Sequence, residues 1–170
     1  MTTQRVLAAL FCMLLAMAAW AGAPSISLHD LDGRERNVNE FIGHAKWTIV
    51  VAWTHDCRIC DREIGEMAAL HAARKDKDAI VLGVTLDGAE NLNEARAFVK
   101  RHKLPFTNLI TEPSQEIMEK FGAGRFVGTP TYYIYDPQGE IVGQNIGPLT
   151  RTEVEDFLAS FDKETKNGKQ

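Results

Sequence analysis

The sequence predicts an α/β protein whose mixed central sheet is flanked by helices, and three observations support this. Two runs of apolar, mostly β-branched residues, Trp47 to Trp53 and Ala79 to Leu86, are typical of strands that are buried on both faces. Each run precedes a segment with apolar residues at helical spacing. The chain then continues to a predicted hairpin and a final amphipathic helix. This order of elements indicates one sheet with both parallel and antiparallel strands.

Short strands are predicted near the start of the domain, at residues 26–28 and 35–38, because Asp32-Gly33 between them suits a hairpin turn. Ser114 is a predicted helix N-cap. With the two buried strands, the further predicted elements are helices at about 57–74, 91–102, 114–121 and from about 150 onward, an extended piece at 106–110, and a hairpin formed by 131–135 and 140–144.

The first two dozen residues have the composition of a secretory signal peptide. Arg5 is the only charge before an apolar run from Val6 to Ala19, and Ala19-Trp20-Ala21 and Ala21-Gly22-Ala23 both fit a small-residue cleavage site. An uncleaved membrane anchor is the alternative, although the apolar run is shorter than the roughly 20 residues that a membrane span needs. The sequence therefore predicts an exported protein.

Composition predicts one domain after this segment. We expect a signal peptide at residues 1–23, a single domain at 24–162 and a flexible polar tail at 163–170. The chain has 19 Lys and Arg residues against 23 Asp and Glu residues, and it loses one more positive charge if Arg5 is removed. This acidic balance argues against a nucleic-acid partner.

Cys57 and Cys60 are the two cysteines that follow residue 23. A bridge between them would close a very small loop and restrict the unfolded chain little, so a redox role explains them better than a structural one. The predicted helix starts at Cys57, where backbone N–H groups and the helix dipole stabilise a thiolate. Cys60 shares a helix face with Cys57 and can resolve a mixed disulfide. Haem attachment through C-x-x-C-H is excluded because Asp61 follows Cys60.

Joined to a signal peptide, three features make the chain resemble the exported TlpA/ResA-type thiol-disulfide oxidoreductases, which have a thioredoxin-like fold and include cytochrome c maturation reductases. These features are Cys57-x-x-Cys60, Glu63 three residues later, and Gly128-Thr129-Pro130-Thr131 before the last hairpin. The resemblance covers about residues 25–160 and includes an N-terminal hairpin and an inserted segment around 87–113. It implies a periplasmic protein that exchanges disulfides with protein substrates and is served by a membrane-bound electron donor. It implies no cofactor or metal beyond the redox-active disulfide itself.

The resemblance also implies roles for individual residues. Pro130 would be cis and lie against the dithiol, and the backbone of Thr129 would pair with an extended substrate peptide. Trp53, at the end of the strand before the cysteines, would belong to the same substrate site. Glu63 would move a proton as Cys60 attacks, with a solvated surface carboxylate as the alternative.

Three departures from the family concern the redox properties of the dithiol. Asp56 stands where many relatives have tryptophan, and its charge disfavours the Cys57 thiolate, whereas Arg58 favours it. Ile59 stands where relatives often have proline. Val51 replaces the buried aspartate of thioredoxin itself. These features leave the thiolate pKa, the reduction potential and the direction of electron flow open.

Two other functions are alternatives to disulfide reduction. Thr54-x-x-Cys57 matches part of a peroxiredoxin site, although Val50 replaces the expected proline and a resolving cysteine three residues on is unusual there. The second is a non-enzymatic metal carrier that uses Cys57, Cys60 and His55, since thiolate-rich sites favour copper(I) or zinc. A typical zinc site, however, needs four ligands. The sequence favours a periplasmic reductant of protein disulfides.

Overall fold

Seven strands form one sheet in residues 22–167, the part of the chain that this computed structural model describes. The strand order across the sheet is β2-β1-β5-β4-β3-β6-β7. Strands β3, β4 and β5 are parallel, and the other neighbours pair antiparallel. The strands are β1 (Ser27–Asp30), β2 (Glu35–Asn37), β3 (Trp47–Trp53), β4 (Ala79–Thr85), β5 (Asn108–Ile110), β6 (Thr131–Tyr135) and β7 (Ile141–Ile146).

Strand β3 lies between β4 and β6 and is buried along its whole length. Its alternate side chains divide between two cores, as the two-residue period of a strand requires. Trp47, Ile49 and Val51 point to one core, and Val50 and Ala52 point to the other. The predicted bounds of this strand are confirmed, as is the mixed α/β fold class.

Helices cover both faces of the sheet. The helices are α1 (Arg58–Arg74), α2 (Leu92–His102), α3 (Gln115–Glu119) and α4 (Arg151–Asn167), with single 3-10 turns at Val38–Glu40 and Ala89–Asn91. The apolar sides of α1, α2 and α4 fill the first core, and Met118 of α3 and the following Phe121 fill the second. None of the helices in residues 22–167 is long and apolar enough to cross a membrane.

Element ends differ from the predictions where local capping intervenes. Val38 starts a 3-10 turn instead of ending β2, because Asn37 and Glu40 form a capping box. Ser114 caps α3 as predicted, since its side chain accepts a hydrogen bond from the Ile117 N–H. Helix α4 continues to Asn167, so residues 163–167 are helical. The inserted segment 87–113 carries α2 and β5.

Both ends of the chain lie outside the described residues, and with them most of the predicted signal peptide, residues 1–21, and the last part of the predicted tail, residues 168–170.

Candidate redox active site

Cys57 caps the N-terminus of α1, directly after the turn that follows β3. Its N–H donates to the Thr54 carbonyl over 3.3 Å, which closes the turn. The Cys60 N–H donates to the Cys57 sulfur over 3.1 Å, and the Asp61 N–H donates to the Cys57 carbonyl over 3.0 Å. The sulfur therefore sits where free N–H groups and the helix dipole favour negative charge, as the sequence predicts.

The two cysteines form a disulfide in this structure, with Cα atoms 5.2 Å apart. Their exposures differ. Cys57 is partly exposed, whereas only 1% of the Cys60 surface is exposed. An incoming group can therefore reach Cys57 and not Cys60, which suits Cys57 as the attacking sulfur and Cys60 as the resolving one.

The loop before β6 lies against this disulfide. The Thr129–Pro130 peptide bond is cis, and the Thr129 carbonyl oxygen lies 3.5 Å from the Cys57 sulfur. The loop is fixed on its far side, because the Gly147 N–H donates to the Pro130 carbonyl over 2.9 Å. The structure thus brings Cys57, Thr129 and Pro130 together, as the resemblance implies.

Two exposed apolar side chains belong to the same region. Val127, two residues before Thr129, has 70% of its surface exposed. Ile146 is 51% exposed and pairs with Thr131, the residue after Pro130, in the β6–β7 ladder. An exposed apolar rim beside a reactive sulfur is typical of a protein-binding surface.

Trp53 has a structural role, and its predicted place in the substrate site is wrong. It is fully buried, its ring stacks on Phe98 with centroids 4.5 Å apart, and its Nε1–H donates to Asn108 over 3.1 Å. The reason is the strand period, which turns Trp53 into the core beneath α2. It supports the turn that carries Cys57 and has no surface for a substrate.

Glu63 lies partly exposed on α1, with its carboxylate 3.8 Å from Arg62. Burial raises the pKa of Tyr132, and the nearby charge of Glu63 raises it further. Within the described residues no hydrogen bond joins Glu63 to Cys60, and its proton-transfer role stays a prediction.

The predicted tuning residues surround Cys57 on the surface. Asp56 and Arg58 are exposed, and Ile59 is half-buried between the cysteines. Arg58 is the first residue of α1, next to the Cys57 cap. The arrangement keeps both charges in solvent, where their effect on the thiolate is screened.

The structure adds a pair that sequence reasoning missed, His55 and Asp87. The Asp87 side chain is 2% exposed and accepts hydrogen bonds from the Thr85 hydroxyl, from the His55 N–H at 3.1 Å and from the His55 ring Nδ1 at 2.6 Å. This hydrogen bond raises the pKa of His55 against the opposing effect of burial. The parallel strands β3 and β4 end level with each other, at Trp53 and Thr85. His55 lies two residues after Trp53, and Asp87 lies two residues after Thr85. This equal spacing is the sequence signal that could have predicted the pair.

Asp56 completes an acid–base cluster with this pair. Oxygen and nitrogen atoms of His55, Asp56 and Asp87 all lie within 4.8 Å of one another, the one such group of three potential ligands in residues 22–167. The hydrogen bonds within the cluster already use both oxygens of Asp87. The cluster holds the His55 imidazole in the same turn as Cys57.

Residues 21–144 match the profile of the AhpC/TSA family, which is more than half of the chain. The chain belongs to the AhpC/TSA family. Among curated relatives, the thiol-disulfide oxidoreductase ResA of Bacillus thuringiensis (strain Al Hakam) is 28% identical over 136 residues, which are 80% of this chain and 74% of that protein. The sporulation thiol-disulfide oxidoreductase A of Bacillus subtilis (strain 168) is 24% identical over 170 residues, 92% of this chain and 98% of that protein.

The fold of this AhpC/TSA family member is also found in solved structures. A thiol:disulfide interchange protein of the thioredoxin family from Chlorobium tepidum superposes with a TM-score of 0.68 at 21% identity, over 82% of this chain and 94% of that one. The predicted thioredoxin-like fold and the predicted resemblance to TlpA/ResA-type proteins are confirmed. So is the prediction of a thioredoxin-like redox enzyme with a C-x-x-C pair.

Proposed function

We propose that this protein is a periplasmic thiol-disulfide oxidoreductase that reduces disulfides in other proteins. The observation that carries the proposal is the Cys57 sulfur, which is partly exposed at a helix N-terminus, 3.5 Å from the Thr129 carbonyl, with Cys60 buried behind it. The curated relatives, which are named thiol-disulfide oxidoreductases, support the same activity. The exported location rests on the sequence of residues 1–23.

The catalytic cycle moves two electrons from the dithiol to the substrate. The Cys57 thiolate attacks one sulfur of the substrate disulfide, and the other substrate sulfur leaves as a thiolate and takes a proton. Cys60 then loses its proton, in this proposal to Glu63, and attacks the Cys57 sulfur. The second substrate thiol leaves, and the product is the Cys57–Cys60 disulfide. A membrane-bound dithiol donor would restore the reduced form, and no organic cofactor or metal takes part.

The substrate site in this proposal consists of the proline loop and its apolar rim. An extended peptide that pairs with the Thr129 backbone would place its cysteine over Cys57. Val127 and Ile146 would then contact apolar residues on either side of that cysteine. The substrates are accordingly proteins with a disulfide in an extended, partly apolar segment.

Matched serine variants test the cycle. Cys57→Ser should abolish reduction of a protein disulfide, whereas Cys60→Ser should accumulate a mixed disulfide between Cys57 and the substrate, seen as a mass shift on a non-reducing gel that dithiothreitol reverses. Each variant differs from wild type by one sulfur atom, and each serves as the folding control for the other. Wild-type turnover by either variant would contradict the scheme.

The reduction potential tests the direction of electron flow. Equilibration with glutathione should give a value near that of thioredoxin, about −270 mV, if the protein is a reductant. A value near −120 mV would identify an oxidant and overturn the proposed direction, though not the exchange chemistry.

A thiol peroxidase is the second candidate, favoured by Thr54-x-x-Cys57 and by the AhpC/TSA family match. It predicts rapid oxidation of reduced Cys57 by hydrogen peroxide, with water released and the Cys57–Cys60 disulfide formed. Stopped-flow comparison of peroxide with a protein disulfide separates the two, because the proposed reductant reacts faster with the disulfide. Faster reaction with peroxide would favour the peroxidase.

A further inference from the structure

The turn of residues 54–57 carries Cys57. The carboxylate of Asp87 is buried next to this turn, and its charge needs compensation. Its side chain is 2% exposed, and in residues 22–167 His55 is the one basic side chain within ion-pair distance of it. A buried ionised carboxylate is costly unless it is hydrogen-bonded and paired. Neutral donors, the Thr85 hydroxyl and the His55 N–H, supply hydrogen bonds. The His55 ring supplies the positive charge when it is protonated.

Three acidic groups act on His55, each from a different part of the fold. Asp87 follows β4 and bonds to the ring, Asp56 stands next to it in the turn, and Glu94 approaches from α2. All three favour the charged imidazolium, and they raise the pKa of His55 above its ordinary value. With 29% of its side chain exposed, the ring can still exchange its proton with water.

Cys57 lies two residues from His55, so the Cα atoms of the two are no more than ~7 Å apart. The two residues share the turn that the Cys57 N–H closes on the Thr54 carbonyl, so a positive charge on the His55 ring favours the Cys57 thiolate. It also opposes Asp56, the acidic residue that replaces the tryptophan of many relatives and disfavours that thiolate.

We propose that protonated His55 sets the reactivity of Cys57, and that buried Asp87 is the positioning residue that holds the imidazolium beside the dithiol. The proposal rests on the proposed function, in which Cys57 is the attacking sulfur. When the pH rises and His55 releases its proton to solvent, the Cys57 thiolate loses this stabilisation. The protein then becomes a stronger reductant with a less reactive thiol, so its redox poise depends on pH.

If the charge of His55 affects the ionisation of Cys57, the charge of Cys57 must also affect the ionisation of His55. If the imidazolium favours the Cys57 thiolate by some factor, the thiolate favours the imidazolium by the same factor. The pKa of the His55 ring must therefore be higher in the reduced protein than in the disulfide form. A histidine with only a structural role would show no such difference.

The first experiment titrates the Cys57 thiolate of reduced protein by its ultraviolet absorbance. His55→Gln should raise the pKa of Cys57, because it removes a positive charge from the turn that carries the thiolate. Asp87→Asn should lower the pKa of the His55 ring, because it removes the carboxylate that holds and stabilises the imidazolium. His55→Lys, which keeps the charge, should restore a low thiolate pKa and abolish its dependence on a second ionisation near neutral pH. His44→Gln is the control, since His44 lies beyond the opposite end of β3 and bonds to the Asn39 carbonyl.

The second experiment follows the His55 ring by NMR in wild-type protein, which avoids any variant that fails to fold. Its pKa should rise on reduction of the disulfide, and the ring signals of His44 serve as the internal reference. Equal His55 values in the two forms, or a Cys57 titration in His55→Gln that matches wild type, would overturn the inference. If wild-type protein reduced no protein disulfide, the proposed function itself would fail, a result that neither titration can produce.

Discussion

The sulfur of Cys57 lies 3.5 Å from the carbonyl oxygen of Thr129, although the two residues are 72 positions apart in the chain. The contact follows from the sheet, because β3 delivers Cys57 and its antiparallel neighbour β6 begins directly after the proline loop. A substrate peptide that pairs with Thr129 would thus be placed on the sulfur that attacks it.

Alkylation of the reduced protein should distinguish the two cysteines. Cys57 is partly exposed at the helix N-terminus, while Cys60 is 1% exposed, so iodoacetamide should modify Cys57 at least roughly tenfold faster. Peptide mass spectrometry after short exposures measures the ratio. Denatured protein is the control, in which the difference should largely disappear. Preferential labelling of Cys60 in the native protein would contradict the assigned order of attack.

Charged substitutions at the apolar rim should weaken protein substrates selectively. Val127→Asp and Ile146→Asp each remove the burial of an apolar side chain, which contributes roughly 1.5–3 kcal/mol, so KM for a protein disulfide should rise about tenfold. The rate with a small aromatic disulfide serves as the control and should change little, because such a substrate does not span the rim. Equal loss with both substrates would instead indicate damage to the dithiol.

The hydrogen bond between Trp53 and Asn108 should contribute measurably to stability. Asn108→Ala leaves the buried Trp53 N–H without its acceptor and should lower the free energy of unfolding by about 1–3 kcal/mol. Gly83→Ala should weaken the same hydrogen bond by displacing its acceptor, because a Cβ at this glycine would lie 2.0 Å from the Asn108 side-chain oxygen. Chemical denaturation with tryptophan fluorescence measures both variants.

Gly65→Ala is a matched control for the glycine variant, since a Cβ at Gly65 would meet no atom within 4 Å and the position lies in the middle of α1. It should be neutral or stabilising. If Gly83→Ala were as stable as Gly65→Ala, Asn108 would not be held as the structure describes.

His71 should make the fold sensitive to acid. Its Nδ1 accepts the Val81 N–H over 3.0 Å, and burial lowers its pKa below the ordinary value of 6.5. The neutral ring is thus favoured in the folded state. The stability it contributes is complete above about pH 6.5 and is lost as the pH falls through the lowered pKa of the folded protein, by no more than about 1.4 kcal/mol per pH unit.

Thermal unfolding at pH 7.5 and 5 tests this prediction. In His71→Asn the amide oxygen can accept the Val81 N–H without titrating, so Tm should fall less on acidification than in wild type. His44→Gln should retain the wild-type loss. His55 has a raised pKa and contributes stability in the opposite direction, toward low pH, but this effect is common to all three proteins and cancels in the comparison.

Sequence patterns predicted the centre of the fold better than its margins. The run from Trp47 to Trp53 gave correct strand bounds, because residues buried on both faces must be continuously apolar. The short β2 ended one residue early, since the capping box at Asn37 overrides strand propensity there. Helix α4 extends beyond the last apolar residue of its stripe, where its polar residues still form backbone hydrogen bonds.

The dithiol was predictable because its chemistry is local in sequence, whereas the residues around it depend on the fold. Trp53 looked available to substrates, but the strand period turns it inward onto Phe98. The pairing of His55 with Asp87 joins the ends of two strands and could be found only from the parallel register of Trp53 with Thr85. Such contacts depend on which strands are neighbours in the sheet, and the residue pattern of a single segment does not show this.

The distance of 72 positions between Cys57 and Thr129 has a consequence for biosynthesis. A ribosome completes the cysteine pair well before it reaches the proline loop, and β6 cannot join β3 until that loop exists. For this interval the nascent chain carries a reactive dithiol without the surface that selects its partners.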